Sequence, residues 1–302
     1  NPALIPSEFG WRLAFLTGAI LGVVVFFMRR WIPESPRWLV IHGRDKDGED
    51  VVDGIEKRFQ NEGAKLELVP ADKAIRLRAR DHTPLAEVFD TLVRRHRVQT
   101  FVGLTLMAAQ AFFYNAIFFT YALVLTKFYS VGAGSVGWYI LPFALSNFLG
   151  PVILGRLFDT LGRRVMITLT YGLSGLLMIA VAVAFEQDLL SAAGQTIGWM
   201  IVFFIASPAA SSAYLTVSET FPIEIRAMTI AIFYAIGTGV GGVAAPLVFG
   251  KLIESGSRQA IFGGYVFAAC LMFAAAVIAW LYAVNAERRS LEEVAAPLSA
   301  VG

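Results

Sequence analysis

The sequence predicts an all-α membrane protein, a bundle of seven transmembrane helices. Three observations carry this. Of 302 residues, 57% are hydrophobic and only 16% charged, against about a quarter charged in soluble domains. Mean hydropathy is +0.63. The charges gather in short blocks between long uncharged runs. Such runs suit a bilayer because a helix satisfies its own backbone hydrogen bonds, and about 20 apolar residues cross the hydrocarbon.

The apolar runs cover residues 11–31, 100–126, 135–158, 165–185, 195–217, 228–249 and 261–284. The first ends on Arg29, Arg30 and two prolines, Pro33 and Pro36, which cannot continue a helix. The stretch 41–99 mixes both charge signs and has no apolar run long enough to span. It is expected to be a partly helical loop, because its apolar residues are too sparse for a core. Span two carries Gln110, Tyr114, Asn115 and Tyr121, and span three carries Asn147. The turn over 159–164 needs a residue that tolerates positive φ, which Gly162 supplies. Span five carries Tyr214. Span six carries Tyr234, Thr238, four glycines over 237–242 and Pro246, a pattern for close packing or for a bend. The single cysteine, Cys270, lies in span seven and excludes an internal disulfide.

Arginines set the orientation. Arg29, Arg30, Arg37, Arg44, Arg94, Arg95, Arg97, Arg156, Arg163, Arg164, Arg226, Arg288 and Arg289 fall on one face if the spans alternate. The other face has Arg12, Lys127, Lys251 and Arg258. The positive-inside rule makes the 41–99 loop and the C-terminus cytoplasmic. The N-terminus is then outside, with no signal sequence ahead of it, which leads to the expectation that earlier spans are missing. A net charge of +2 with no basic stripe excludes a nucleic-acid partner. His42, His82 and His96 lie in the polar stretch and read as solvated, so no metal, cofactor or catalytic site is expected.

Two motifs carry a resemblance. Pro33-Glu34-Ser35-Pro36-Arg37 follows span one, and Asp159-x-x-Gly162-Arg163-Arg164 follows span three. With Glu219 and Arg226 in the turn after span five, they resemble the sugar-porter-like branch of the major facilitator superfamily. The resemblance implies two six-helix bundles joined by a cytoplasmic loop. Residues 1–40 then hold the last helix of the N-terminal bundle and 41–99 the linker. Residues 100–285 form the C-terminal bundle and 286–302 a cytoplasmic tail. The chain is on this reading a truncated transporter whose first five helices are absent, and the fragment alone is not expected to transport.

In the family, charges at helix ends hold one transport state closed. The resemblance implies that gating role for Glu34, Arg37, Asp159, Gly162, Arg163, Arg164, Glu219 and Arg226, with Glu219 a partner for Arg163 or Arg164. A helix stop with solvated, topology-setting charges is the plainer alternative. Gln110, Tyr114, Asn115, Tyr121, Asn147, Tyr214, Tyr234 and Thr238 are the candidate substrate-binding groups, since polar groups in spans are costly and often functional. Helix–helix hydrogen bonding accounts for any of them equally. The family's first helix-seven glutamine and its glycine are replaced by Ala109 and Phe113, which argues against a hexose.

The function implied is secondary active or facilitative transport of a small metabolite by alternating access: sugar-like, an organic acid, or another polar or amphiphilic solute. The partners implied are that small-molecule substrate, a coupling proton if transport is symport, the lipid bilayer of the plasma membrane, and the missing N-terminal bundle. No ionised residue lies deep in spans two to seven, so a proton-binding carboxylate is expected elsewhere. A seven-helix receptor and a non-transporting remnant are the alternatives.

Overall fold

The apolar runs fold as helices, two of them in two pieces. The computed structural model describes residues 7–63, 75–80, 82–287 and 289–301, so Arg288 lies outside the described residues. The chain divides into two compact units, Asn1–Thr83 with Pro297–Gly302, and Pro84–Ala296.

The smaller unit holds α1 (Ser7–Met28), a 3-10 turn (Arg29–Trp31), α2 (Pro36–Ile41) and α3 (Asp45–Asn61). Pro36 opens α2 at a position where its missing N–H costs nothing. Leu39 and Ile41 are buried as α2 packs on α3. The described side chains of α1 are exposed from Phe9 to Met28, a largely apolar surface, broken by Arg12 and Thr17, of the kind hydrocarbon covers. Two short strands, β1 (Arg76–Leu77) and β2 (Ala300–Val301), pair antiparallel, with Leu77 opposite Ala300. Period-2 patterning cannot reveal strands of this length in a sequence.

The larger unit begins with α4 (Leu85–Asp90) and a π-helical turn (Thr91–Arg95). Next come α5 (Arg97–Phe118), α6 (Tyr121–Tyr129), α7 (Val136–Thr160), α8 (Arg163–Glu186) and α9 (Ala192–Thr220). The unit closes with α10 (Ile223–Gly237), a second π turn (Thr238–Gly242), α11 (Val243–Glu254), α12 (Arg258–Tyr282) and α13 (Leu291–Val294). Six stretches among the described residues are long and apolar enough to cross a membrane: 97–129, 136–160, 163–186, 192–220, 223–254 and 258–282. They make this an all-helical, polytopic membrane protein.

Helix α9 packs against α5, α7 and α8, while α12 packs against α5 and α8. Their shared core is aromatic: Phe113, Phe143, Phe185, Trp199, Phe203 and Tyr265 are all fully buried, joined by Phe249 of α11. Two spans are broken rather than continuous. Between α5 and α6, Thr120 turns its hydroxyl back onto the Ala116 carbonyl. Between α10 and α11, Pro246 has no N–H for the Gly242 carbonyl four residues earlier, and the chain widens into the π turn just before it. Gly241 in that turn meets α5 so closely that a Cβ would lie 2.5 Å from the Phe112 nitrogen. The close packing expected over 237–246 is present, together with a π turn ahead of Pro246.

Candidate functional site: a charged latch and a polar helix face

The charged cluster at this end of the bundle is built on a turn that only glycine fills easily. Gly162 links α7 to α8 at φ +100°, and a Cβ there would come 3.0 Å from Glu287 Oε1. Arg163, the first residue of α8, then reaches α9. Its Nε donates to Glu219 Oε2 at 3.0 Å and its Nη2 to Glu219 Oε1 at 2.9 Å. Its Nη1 donates to Asp159 Oδ1 at 2.7 Å, one turn back on α7. The Arg163 backbone N–H donates to Glu287 Oε2 at 3.3 Å. Glu287 thus caps the free N-terminal amides of α8, which Gly162 cannot do for want of a side chain.

Arg164 does not join this network. Its guanidinium lies 5.2 Å above the Trp280 ring, and its buried Nε has no hydrogen-bond partner among the described residues. Arg226 donates from Nη2 to the Phe221 carbonyl at 3.2 Å and so braces the turn after α9. Glu34 and Arg37 are exposed in the smaller unit.

A groove of about 420 Å³ opens between α7 and α9 beside the latch. Pro208, Ser211 and Ser212 line it from α9, and Pro151, Gly155 and Phe158 from α7, with Asp159 and Arg163 also on its wall. That volume falls in the range of small-molecule sites.

The polar groups of the spans separate into two kinds. Tyr114 donates its hydroxyl to Asn147 Oδ1 and lies against Ser207, half-buried. One turn away, the Gln110 side chain faces the Tyr214 hydroxyl, and the Tyr214 ring is 6.1 Å from that of Tyr234, which is exposed. Asn115 gives its amide to the Ala111 carbonyl at 2.6 Å and abuts Gly242, with Thr238 also beside that glycine. Gln110 and Tyr114, one turn apart on α5, place Asn147, Tyr214 and Tyr234 on a partly open face with α7, α9 and α10, while Asn115 and Thr238 meet at the π turn. Tyr121 differs: it is 1% exposed, and its hydroxyl meets Thr196 Oγ1 at 2.5 Å within the helix packing.

Sequence reasoning missed Glu287, Ser207 and the serines of the groove. The acidic residue four positions before Leu291-Glu292-Glu293 was the one available signal for Glu287. His96 is half-buried against Phe221, with ring centroids 5.7 Å apart, and is not a solvated loop residue. Burial, and then the neighbouring Arg95 charge, hold its pKa below the usual 6.5. No cluster among the described residues has the make-up of a metal site.

Comparison with known proteins fits this geometry. The chain is 25% identical over 296 residues to sugar transporter ERD6-like 17 of Arabidopsis thaliana, covering 94% of this chain and 59% of that one. It is 26% identical over 187 residues to the proton myo-inositol cotransporter hmit-1.1 of Caenorhabditis elegans, covering 60% and 30%. The chain therefore spans less than two thirds of the length of either relative. Among solved structures, the major facilitator proton:xylose symporter XylE, bound to 6-bromo-6-deoxy-D-glucose, matches with a TM-score of 0.67 at 19% identity. That match covers 94% of this chain and 58% of the symporter, and it is a likeness of fold. The family model described as "Sugar (and other) transporter" aligns with residues 3–297. A match over nearly the whole chain means that the chain belongs to the sugar (and other) transporter family.

Proposed function

We propose that the complete protein moves a small, uncharged, polyhydroxylated solute across a membrane by alternating access. The observation that carries this is the partly open polar face of Gln110, Tyr114, Asn147 and Tyr214, whose groups are amides and hydroxyls, none of them ionised at neutral pH. Such groups exchange hydrogen bonds with a sugar or polyol and offer nothing to pair with an organic acid. The relatives' descriptions as sugar and myo-inositol carriers support the same class. The Arg163–Glu219 pair is then a gate that must part when the bundle changes state. Membership of this family also speaks against the receptor reading.

Reconstitution of the full-length protein tests the proposal. Saturable uptake of labelled xylose, glucose or myo-inositol, competed by the unlabelled solute, is the expected result. Absence of uptake for the whole panel overturns it. Stimulation by an imposed pH gradient separates symport from facilitated passage. The carboxylate that a symporter needs would lie outside the six spans of the larger unit.

The partial coverage of the relatives supports reading α1 as a seventh crossing that ends an N-terminal bundle. On that reading, the 41–99 loop, the latch and the C-terminal tail face the cytoplasm at the plasma membrane. Cysteines placed in α3 should react with an impermeant maleimide only after the cell is opened, and labelling of intact cells would reverse the orientation.

A further inference from the structure

The end of the bundle remote from the latch is tied together by one residue that the polar face and the gate do not use. Arg163 opens α8 and Phe185 lies in its last turn, about 33 Å away at 1.5 Å per residue. There Arg258, the first residue of α12, donates from Nη1 to the Phe185 carbonyl at 2.9 Å and from Nη2 to the Phe128 carbonyl at 3.4 Å. Nη2 also pairs with Asp188 Oδ1 at 2.7 Å. The guanidinium lies 4.7 Å above the Phe185 ring, with Phe128 and Tyr129 at 5.5 and 5.4 Å. Both carbonyls belong to final helical turns at the negative end of the dipole, and the Phe185 carbonyl also accepts from the Asp188 backbone N–H at 3.2 Å. A planar fork can serve two carbonyls and a carboxylate while stacking on rings, and an ammonium cannot.

Helix α6 makes this arrangement more than a cap. It is a nine-residue piece separated from α5 at Phe119–Thr120; beside that break Tyr121 meets Thr196, and its remaining polar anchors cluster at its far end. Besides Arg258 they are Lys127 Nζ on the Glu254 carbonyl at 2.8 Å and Tyr129 Oη on Gln195 Oε1 at 3.0 Å. We propose that Arg258 is a clasp that holds α6 to α8 and α12, so that releasing it frees α6 to move as a unit about Phe119–Thr120. Arg258 is on this view a positioning residue, acting through α6 rather than on the solute.

Hydrogen exchange read by mass spectrometry on the full-length protein tests the clasp. Arg258→Gln should raise exchange over residues 121–131 about tenfold and leave 163–175 unchanged, because the opening is local. Arg258→Lys should restore protection in part, since it keeps the charge but loses the fork. Unchanged exchange over 121–131, or an equal rise at both ends of the bundle, overturns the proposal. Should Arg258→Gln fail to accumulate, Phe185→Leu and Asp188→Asn each remove one arm, and absence of a local rise in both overturns it equally. The kinetic consequence, a changed apparent KM at unchanged protein level, rests on the transport reading. Loss of that reading would leave the exchange result standing.

Discussion

Arg163 and Glu219 meet as a two-pronged pair, Nε to Oε2 at 3.0 Å and Nη2 to Oε1 at 2.9 Å, joining the first residue of α8 to the last turn of α9. Their side chains are only 14% and 13% exposed, whereas Asp159, the third member, is 68% exposed. Solvent screens the Asp159 arm and much less the Glu219 arm. The two carboxylates should therefore differ in weight, although both touch the same guanidinium.

Glu219→Gln leaves the shape and removes the charge. Charge-assisted hydrogen bonds contribute about 2 kcal/mol, which is about thirtyfold in a two-state equilibrium. Transport by the full protein should fall severalfold or more, with near-normal amounts in the membrane. Asp159→Asn should have a smaller effect, in keeping with an exposed pair. Undiminished transport in Glu219→Gln would remove the latch from the mechanism, and loss of the protein from the membrane would make the residue structural.

Gly162→Ala places a side chain at φ +100° and within 3.0 Å of Glu287 Oε1. Strain of this kind costs about 1–3 kcal/mol, and each kcal/mol lowers Tm by about 2–4 °C in a domain of this size. Glu287→Gln keeps a cap but removes its charge, so its loss should be smaller. A Gly162→Ala protein as stable as the parent would contradict the turn geometry.

Tyr114→Phe and Tyr121→Phe remove the same hydroxyl from two settings. Tyr114 pairs with Asn147 on the half-buried polar face, so its variant should raise KM and leave Tm nearly unchanged. Tyr121 is paired with Thr196 inside the packing, so its variant should cost about 1 kcal/mol of stability and leave KM alone. The reverse pattern would exchange the roles of the two residues.

Burial, followed by the Arg95 charge, lowers the His96 pKa in the folded protein below 6.5. The unfolded chain then binds the proton more readily. The stabilising contribution is fully present above pH 6.5 and is lost as the pH falls through 6.5 and the lowered folded value. Thermal melts of the full protein from about pH 8 to about pH 5 should show Tm falling on the acid side. His96→Gln should flatten that limb, and an unchanged slope in the variant would assign it to other groups.

The sequence by itself determined the six spans of the larger unit and the turns between them. Partitioning into a bilayer depends on the local apolar content of about 20 residues, so the runs around Leu106, Leu176 and Met272 are helices wherever their neighbours lie. The glycine of the 159–164 turn was legible for the same reason: positive φ is a local demand. Partnership was not local. Glu219 could have met Arg163 or Arg164, and only the packing of α8 between α9 and α12 gave it Arg163 and set Arg164 on Trp280. Glu287 lies 124 residues from Arg163 in the chain, and Arg258 reaches carbonyls 73 and 130 residues away. Tyr114 and Tyr121 look alike in the sequence, seven residues apart, but the break at Thr120 sends one to the polar face and buries the other. Hydrophobicity and φ belong to single residues and their neighbours, while hydrogen bonds and ion pairs at these separations exist only once the helices have packed.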